Sequence, residues 1–145
     1  MSHTTTIDAI MFTDMGALQA AINELKATGV DCELMQNLTT RAYYNNQQGM
    51  GTADYVVKLN DAKYDVGLYA SEDGGGYEAR TDFYGGTVEK QLGVQDAAVA
   101  GEQRKLGKLY QMYGVHGATR IAVQQGYAVN SVHKEDGTIQ LRVAA

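Results

Sequence analysis

The stretch from Tyr64 to Tyr84 constrains the fold most, because it contains two runs of alternating residues on either side of a turn-forming cluster. Successive side chains of a β-strand point to opposite faces, so Tyr64, Val66 and Leu68 share one face of the first run. The second run divides in the same way, with Tyr77, Ala79, Thr81 and Phe83 on one face and Glu78, Arg80 and Asp82 on the other. Acidic residues and glycines at 72–76 supply the turn. The pattern predicts a half-buried antiparallel hairpin.

Two longer segments have helical spacing. The first, at about residues 14–28, repeats apolar residues at intervals of three and four. The second, Glu102 to Gln125, carries an apolar stripe made of Leu106, Leu109, Tyr110, Tyr113, Gly117 and Ile121. Each glycine inside a helix costs about 1 kcal/mol relative to alanine. We expect close approach to the sheet to offset this cost at Gly107, Gly114 and Gly117.

The remaining elements follow from alternation and turn residues. Strands are predicted at about 4–12, 30–35, 40–44, 55–59, 127–132 and 138–143, and a short helix at about 87–92. Two long helices cannot cover both faces of such a sheet. The sequence therefore predicts one α+β domain over residues 1–145, in which an antiparallel sheet of about six strands has two main helices packed on one face.

Charge and composition exclude several classes of function. The net charge of -5 argues against non-specific binding to nucleic acid or to anionic membranes, which is driven by basic surfaces. No apolar run approaches the roughly 20 residues of a membrane-spanning helix. The first ten residues lack the basic and apolar regions of a signal peptide, and a single cysteine suits a reducing compartment. These features predict a cytoplasmic protein.

Arg41, Tyr43 and Tyr44 are the candidate ligand-binding residues, because they adjoin a stretch rich in asparagine and glutamine. Tyrosine offers area for stacking, and arginine can hold an anion. Such a group could hold a nucleotide. The alternative is an exposed loop with incidental tyrosines.

A second group is basic and starts the second long helix. Arg104, Lys105 and Lys108 are the candidate partner-binding residues. The alternative is an ordinary solvated helix face.

Acid–base catalysis is one hypothesis for the carboxylates around the hairpin, Asp65, Asp73, Glu78 and Asp82. Paired carboxylates support such chemistry when one of them is desolvated. The alternative, which we favour, is a solvated strand face on which Arg80 pairs with its acidic neighbours.

The histidines and the cysteine show no spacing typical of a metal site, so we predict no metal and no cofactor. We expect Cys32 to be a buried thiol, because it lies on an alternating apolar face. We expect His116 to form a hydrogen bond at the boundary between helix and sheet.

Several motifs together resemble a known family. They are MSH, ADYVV, YDVGLY with its glycine-rich turn, YEARTDFYG, KLYQMYGVHGATRIAVQQGYAV and EDGTIQLRV. They are similar to those of the uncharacterised hypothetical chloroplast reading frame thirty-five family, found in cyanobacteria, plastids and some phages. Residues 36–53 and 93–104 depart from its pattern. The resemblance implies a small soluble accessory protein, often encoded near a AAA+ ATPase, and it supplies no catalytic residue.

The hypothesis that follows is a non-enzymatic binding or adaptor module that acts through a protein partner or through self-assembly as a homo-oligomer. A small-ligand or nucleotide-binding protein, conceivably a phage protein that sequesters a host signal, is the first alternative. An enzyme that uses the carboxylates of the central hairpin is the second alternative.

Overall fold

The computed structural model describes residues 4–41, 52–72, 74–94, 105–133 and 139–144. A five-stranded antiparallel sheet has the strand order β1-β5-β4-β3-β2. Its strands are β1 (Thr4–Phe12), β2 (Cys32–Thr39), β3 (Thr52–Leu59), β4 (Val66–Ala70) and β5 (Tyr77–Asp82). A separate two-stranded sheet pairs β6 (Ala128–His133) with β7 (Ile139–Ala144). The helices are α1 (Met15–Ala27), α2 (Thr87–Leu92) and α3 (Gly107–Gln124), and a 3₁₀ turn covers Tyr84–Gly86.

The central hairpin is confirmed as β4 and β5. Val66 pairs with Thr81 and Leu68 pairs with Ala79. The residues that were predicted to share one face of each strand therefore lie on the same face of the sheet. All four of these residues are fully buried. The hairpin lies in the middle of the sheet because β1 pairs with β5 and β3 pairs with β4. Alternation alone therefore located the centre of the fold.

The core lies between the sheet and the two long helices. α1 begins at its N-cap Asp14, whose carboxylate accepts a hydrogen bond from the backbone N–H of Ala17. The buried side of α1 is Ala17, Leu18, Ala21, Ile22 and Leu25. α3 contributes Leu109, Tyr110 and Met112 to the same core. The ring of Tyr110 stacks on Phe12 of β1 with the ring centroids 5.4 Å apart. The α+β class and the helices on one face are thus as predicted.

The end of the chain departs from the prediction in one respect. The last two strands pair only with each other among the described strands, and they do not extend the main sheet. The described residues therefore form seven strands in two sheets, of five and two strands, where one sheet of about six strands was predicted.

Close approach to the sheet, the reason predicted for the helical glycines, is found at none of the three positions. A side chain at Gly107 would collide with Val94, which follows α2 and lies outside the sheet, whereas positions 114 and 117 have no described neighbour within 4 Å. Ile121 was predicted to be on the apolar face of the helix, but it is 58% exposed. Within the described residues, no helix has both the length and the apolar character that crossing a bilayer requires.

Candidate functional site

Arg41 follows β2 and forms an ion pair with Asp65, which is 1% exposed. Its Nε donates to both carboxylate oxygens at 3.0 Å, and its Nη2 donates to one of them at 2.7 Å. The same Nη2 donates to the carbonyl oxygen of Leu59 at 2.6 Å, and the backbone N–H of Leu59 donates to the carboxylate. This bonding raises the pKa of the Arg41 guanidinium above its ordinary value. Arg41 therefore joins the end of β2 to the β3–β4 connection.

The anion that Arg41 binds is thus the carboxylate of Asp65 in the same chain. Part of its side chain remains accessible, because 41% of its surface is exposed. The other two members of the predicted ligand group, Tyr43 and Tyr44, lie outside the described residues.

A second polar cluster lies next to this pair, on the face of the sheet that points away from the helices. The Tyr69 hydroxyl is 2.8 Å from the Thr40 hydroxyl, and burial raises the pKa of Tyr69. The Arg80 guanidinium lies 4.6 Å from the centre of the Tyr69 ring. Arg80 also pairs with Glu78 at 2.7 Å. Beneath the ring, a Cβ at Gly67 would lie 2.6 Å from a carbon of Tyr69 and would also collide with Thr40. Glycine is required here because the ring lies directly on the backbone.

The carboxylates of the hairpin are only partly as predicted. The pair between Arg80 and Glu78 is confirmed. Asp65 and Asp82, however, are 1% and 2% exposed, so the prediction of a solvated face is wrong for them. Asp65 can be buried because the Arg41 guanidinium and the backbone N–H groups of Arg41 and Leu59 donate to its carboxylate. Asp73 lies outside the described residues.

Of the predicted basic group, the structure describes two residues. Lys105 places its ammonium 4.9 Å from the centre of the Phe83 ring, and Lys108 is partly exposed. Arg104 lies outside the described residues.

Cys32 is buried, as predicted, and burial raises the pKa of its thiol to about 11. Its sulfur lies 3.9 Å from the carbonyl oxygen of Ile22. The Nε2 of His116 lies 2.7 Å from Glu24, so this histidine bonds between two helices and not at the helix–sheet boundary that we predicted. In the described residues, no three side chains among His, Cys, Asp and Glu are grouped as a metal site would require.

An open groove of about 380 Å³ lies between α1 and the edge strand β2. Its lining is Gln19, Ile22, Lys26, Glu33, Leu34 and Met35. Met35 is 39% exposed, which makes it a large apolar side chain at the sheet edge.

Near the C-terminus lie four of the five strongly exposed large hydrophobic residues in the described part of the chain. We define the C-terminal arm as residues 121–133 and 139–144, that is, the last turn of α3 with the hairpin of β6 and β7. No arm residue whose burial is described is buried. Four large hydrophobic residues of the arm are strongly exposed: Ile121 at 58%, Val123 at 56%, Val143 at 54% and Tyr127 at 41%.

The side of α3 that carries Tyr110 becomes exposed towards the arm. Ile121 lies eleven positions after Tyr110, which is about three helical turns, so the two lie on the same side of the helix. Tyr110 is 9% exposed and Ile121 is 58% exposed. The same side of the helix therefore passes from the core into contact with water.

The arm hairpin also has one apolar face. Val129 pairs with Val143, Ser131 pairs with Leu141, and the alternation places Ile139 on the same face. Ile139 packs against the main core, whereas Val143 is exposed. One end of this face is thus attached to the domain and the other end is open.

The sequence contains a signal for the arm. The apolar periodicity of the second helix and of the last two strands predicts packing inside one chain, but the same periodicity is compatible with a face that another molecule covers. Arg142 is the single residue among Asp, Glu, Lys and Arg in the arm as defined, whereas residues 134–138, which connect β6 to β7, contain Lys134, Glu135 and Asp136.

Comparisons of the chain with protein-family models, with curated proteins and with solved structures found no match.

Proposed function

We propose that this chain is a non-enzymatic protein-binding module and that its C-terminal arm is the docking surface. The observation that carries the proposal is the exposure of Ile121, Val123, Tyr127 and Val143 in an arm where no residue whose burial is described is buried. Association through an apolar surface is driven by its removal from water. An adaptor role agrees with the family resemblance, which implies an accessory protein.

The internal pairing of the polar groups supports the same proposal. Arg41 is bonded to Asp65, and Arg80 is bonded to Glu78 and stacked on Tyr69. These groups stabilise the sheet and its connections. In the arm, in contrast, Ile121, Val123, Tyr127 and Val143 remain exposed.

The test is a capture experiment with a matched pair of variants. The arm variant combines Ile121→Gln with Val143→Thr, since glutamine keeps good helix propensity and threonine keeps the shape of valine. The control variant is Met35→Gln, which removes an exposed apolar side chain outside the arm. Each tagged protein is incubated with native lysate that contains an untagged copy of the chain, and bound proteins are quantified.

The proposal predicts that wild type and Met35→Gln retain the same binder and that the arm variant loses at least nine-tenths of it. The binder can be the untagged copy or a different protein. Circular dichroism must show that the arm variant is folded. Equal retention by all three proteins, or no binder for any of them, would overturn the proposal.

A further inference from the structure

We infer that the open groove between α1 and β2 binds an extended peptide segment of a partner protein, which adds an antiparallel strand to the edge of the main sheet. The segment carries an apolar, a basic and an acidic residue in succession, in the direction from its N-terminus to its C-terminus. This inference goes beyond the proposed function, because it assigns a second surface that contains no residue of the C-terminal arm. An adaptor that joins two proteins requires a second surface of this kind.

The free backbone edge of β2 is the first reason. The backbone N–H of Asn60 donates to the carbonyl oxygen of Asp31 at 3.0 Å, and the same register continues along β2 and β3. Hydrogen-bonded pairs alternate with non-bonded pairs in an antiparallel sheet. The backbone groups of Cys32, Leu34 and Gln36 therefore point away from β3, and no other described strand pairs with β2. Unpaired groups at a sheet edge can bind an added strand.

The apolar side chains of the groove are the second reason. Leu34 lies on the face of the sheet that α1 covers, where it packs against the core and remains partly exposed. On the helix beside it, the carbonyl oxygen of Ile22 lies 3.9 Å from the sulfur of Cys32. Ile22 and Leu34 both line the groove of about 380 Å³. A partner residue opposite Leu34 can therefore place an apolar side chain in the groove.

The charges along the groove are the third reason, and they specify the partner. Lys26 lies about one helical turn after Ile22, which places it beside the start of β2 on the face that α1 covers. Alternation places Glu33 and Asp31 on the opposite face. Lys26 and Glu33 are exposed, and no described side chain forms an ion pair with either of them. A carboxylate on the helix side and an ammonium group on the other side would complement these charges.

These contacts define the order of residues in the partner segment. The main sheet is antiparallel throughout, so we assign the same direction to the added strand. The residue opposite Leu34 then faces α1, the next residue faces away from α1 beside Glu33, and the third faces α1 beside Lys26. The matching segment is therefore apolar, basic and acidic in that order. It sets no requirement on the residue beside Met35.

Fluorescence polarisation with synthetic peptides tests the inference on the full-length protein. The probe is fluorescein-labelled Ser-Thr-Thr-Leu-Lys-Glu-Ser-amide, and the control peptide exchanges its Lys and Glu. Two further peptides carry an N-methyl group, either on Leu, whose N–H would donate to the carbonyl oxygen of Leu34, or on Lys, whose N–H would point to solvent. The protein variant Lys26→Glu with Glu33→Lys reverses both charges of the groove. Circular dichroism must show that this variant is folded.

The inference predicts that wild type binds the probe at least fivefold more tightly than the control peptide at low salt, where surface charges are least screened. The charge-reversed variant should prefer the control peptide. The N-methyl group on Leu should weaken binding at least tenfold, whereas the N-methyl group on Lys should change it less than twofold. No binding of either peptide to wild type, equal affinity for the two peptides, or equal effects of the two N-methyl groups would overturn the inference.

The same assay separates the groove from the arm. The folded variant Ile121→Gln with Val143→Thr should bind the probe as wild type does, because the groove contains no arm residue. Loss of the probe by this variant would overturn the inference. Equal capture from lysate by wild type and this variant would overturn the proposed function alone, since the peptides report only on the groove.

Discussion

The phenol oxygen of Tyr113 on α3 accepts a hydrogen bond from the backbone N–H of Asp14, the residue that caps α1, at 3.0 Å. The same oxygen accepts from the backbone N–H of Thr13 at 2.8 Å. One side chain of α3 thus satisfies two backbone donors where the chain enters α1. The ring of Tyr113 also packs edge-on against Phe12, with centroids 4.8 Å apart.

Tyr113→Phe should therefore destabilise the fold by about 1–3 kcal/mol, because two backbone donors lose their acceptor. Tyr110→Phe is the matched control on the same helix. The Tyr110 hydroxyl is buried and has no hydrogen-bond partner among the described residues, so its removal should leave stability unchanged or increased. Urea unfolding measures both variants. Equal losses in the two would show that Tyr113 acts through packing alone.

Asp65→Asn should cost about 2–4 kcal/mol, because an amide group would face the donors of Arg41 and leave part of a buried cluster unsatisfied. Glu78→Gln is the control, since its pair with Arg80 is partly exposed and should contribute less than about 1 kcal/mol. Both free energies come from urea unfolding. A loss for Asp65→Asn no larger than that for Glu78→Gln would contradict the structural role of the Arg41 pair.

Substitution of two glycines by alanine should change the stability of the protein in opposite directions. Gly114→Ala should stabilise α3 by about 0.5–1 kcal/mol, because no described atom lies within 4 Å of the added methyl group and helix propensity improves. Gly67→Ala should destabilise the sheet by about 1–3 kcal/mol, because the methyl group would displace the Tyr69 ring. Thermal unfolding of each variant shows whether its stability rises or falls. A stabilised Gly67→Ala would show that the ring does not lie on this backbone.

The thiol of Cys32 should react with a disulfide reagent only when the protein unfolds, since the sulfur is buried. The pKa of the thiol is raised in the folded state to about 11, against about 8.5 in an unfolded chain. Folding therefore favours the protonated thiol. Its contribution to stability is present below pH 8.5 and is lost as the pH rises towards 11. Cys32→Ser should show less of this alkaline loss in unfolding measurements. Rapid labelling of the native protein at pH 8 would exclude the buried site.

The elements that could be predicted from sequence are those whose signal is local. The β4–β5 hairpin follows from alternation on either side of a glycine-rich turn, and α1 follows from its apolar spacing. The bond between Arg41 and Asp65 joins residues 24 positions apart, so no local pattern pairs them. The sequence makes Arg41 a candidate ligand-binding residue and Asp65 a candidate catalytic carboxylate, and neither pattern indicates that the two residues pair.

The arm shows a different limit of sequence interpretation. The spacing of Tyr110, Tyr113 and Ile121 indicates an apolar helix side, and the alternation of Ile139, Leu141 and Val143 indicates an apolar strand face. Neither pattern says whether the covering layer belongs to the same chain. β1–β5 form the five-stranded sheet, and the last hairpin is a separate sheet. This separation depends on strand pairing in three dimensions, which alternation within one strand does not indicate.

Quantitative capture from native lysate tests the central claim, docking through the arm, most directly. Wild type and Met35→Gln should retain the same binder, and the folded double variant with Ile121→Gln and Val143→Thr should lose at least nine-tenths of it. Equal retention by all three proteins, or no binder for any of them, would contradict the account.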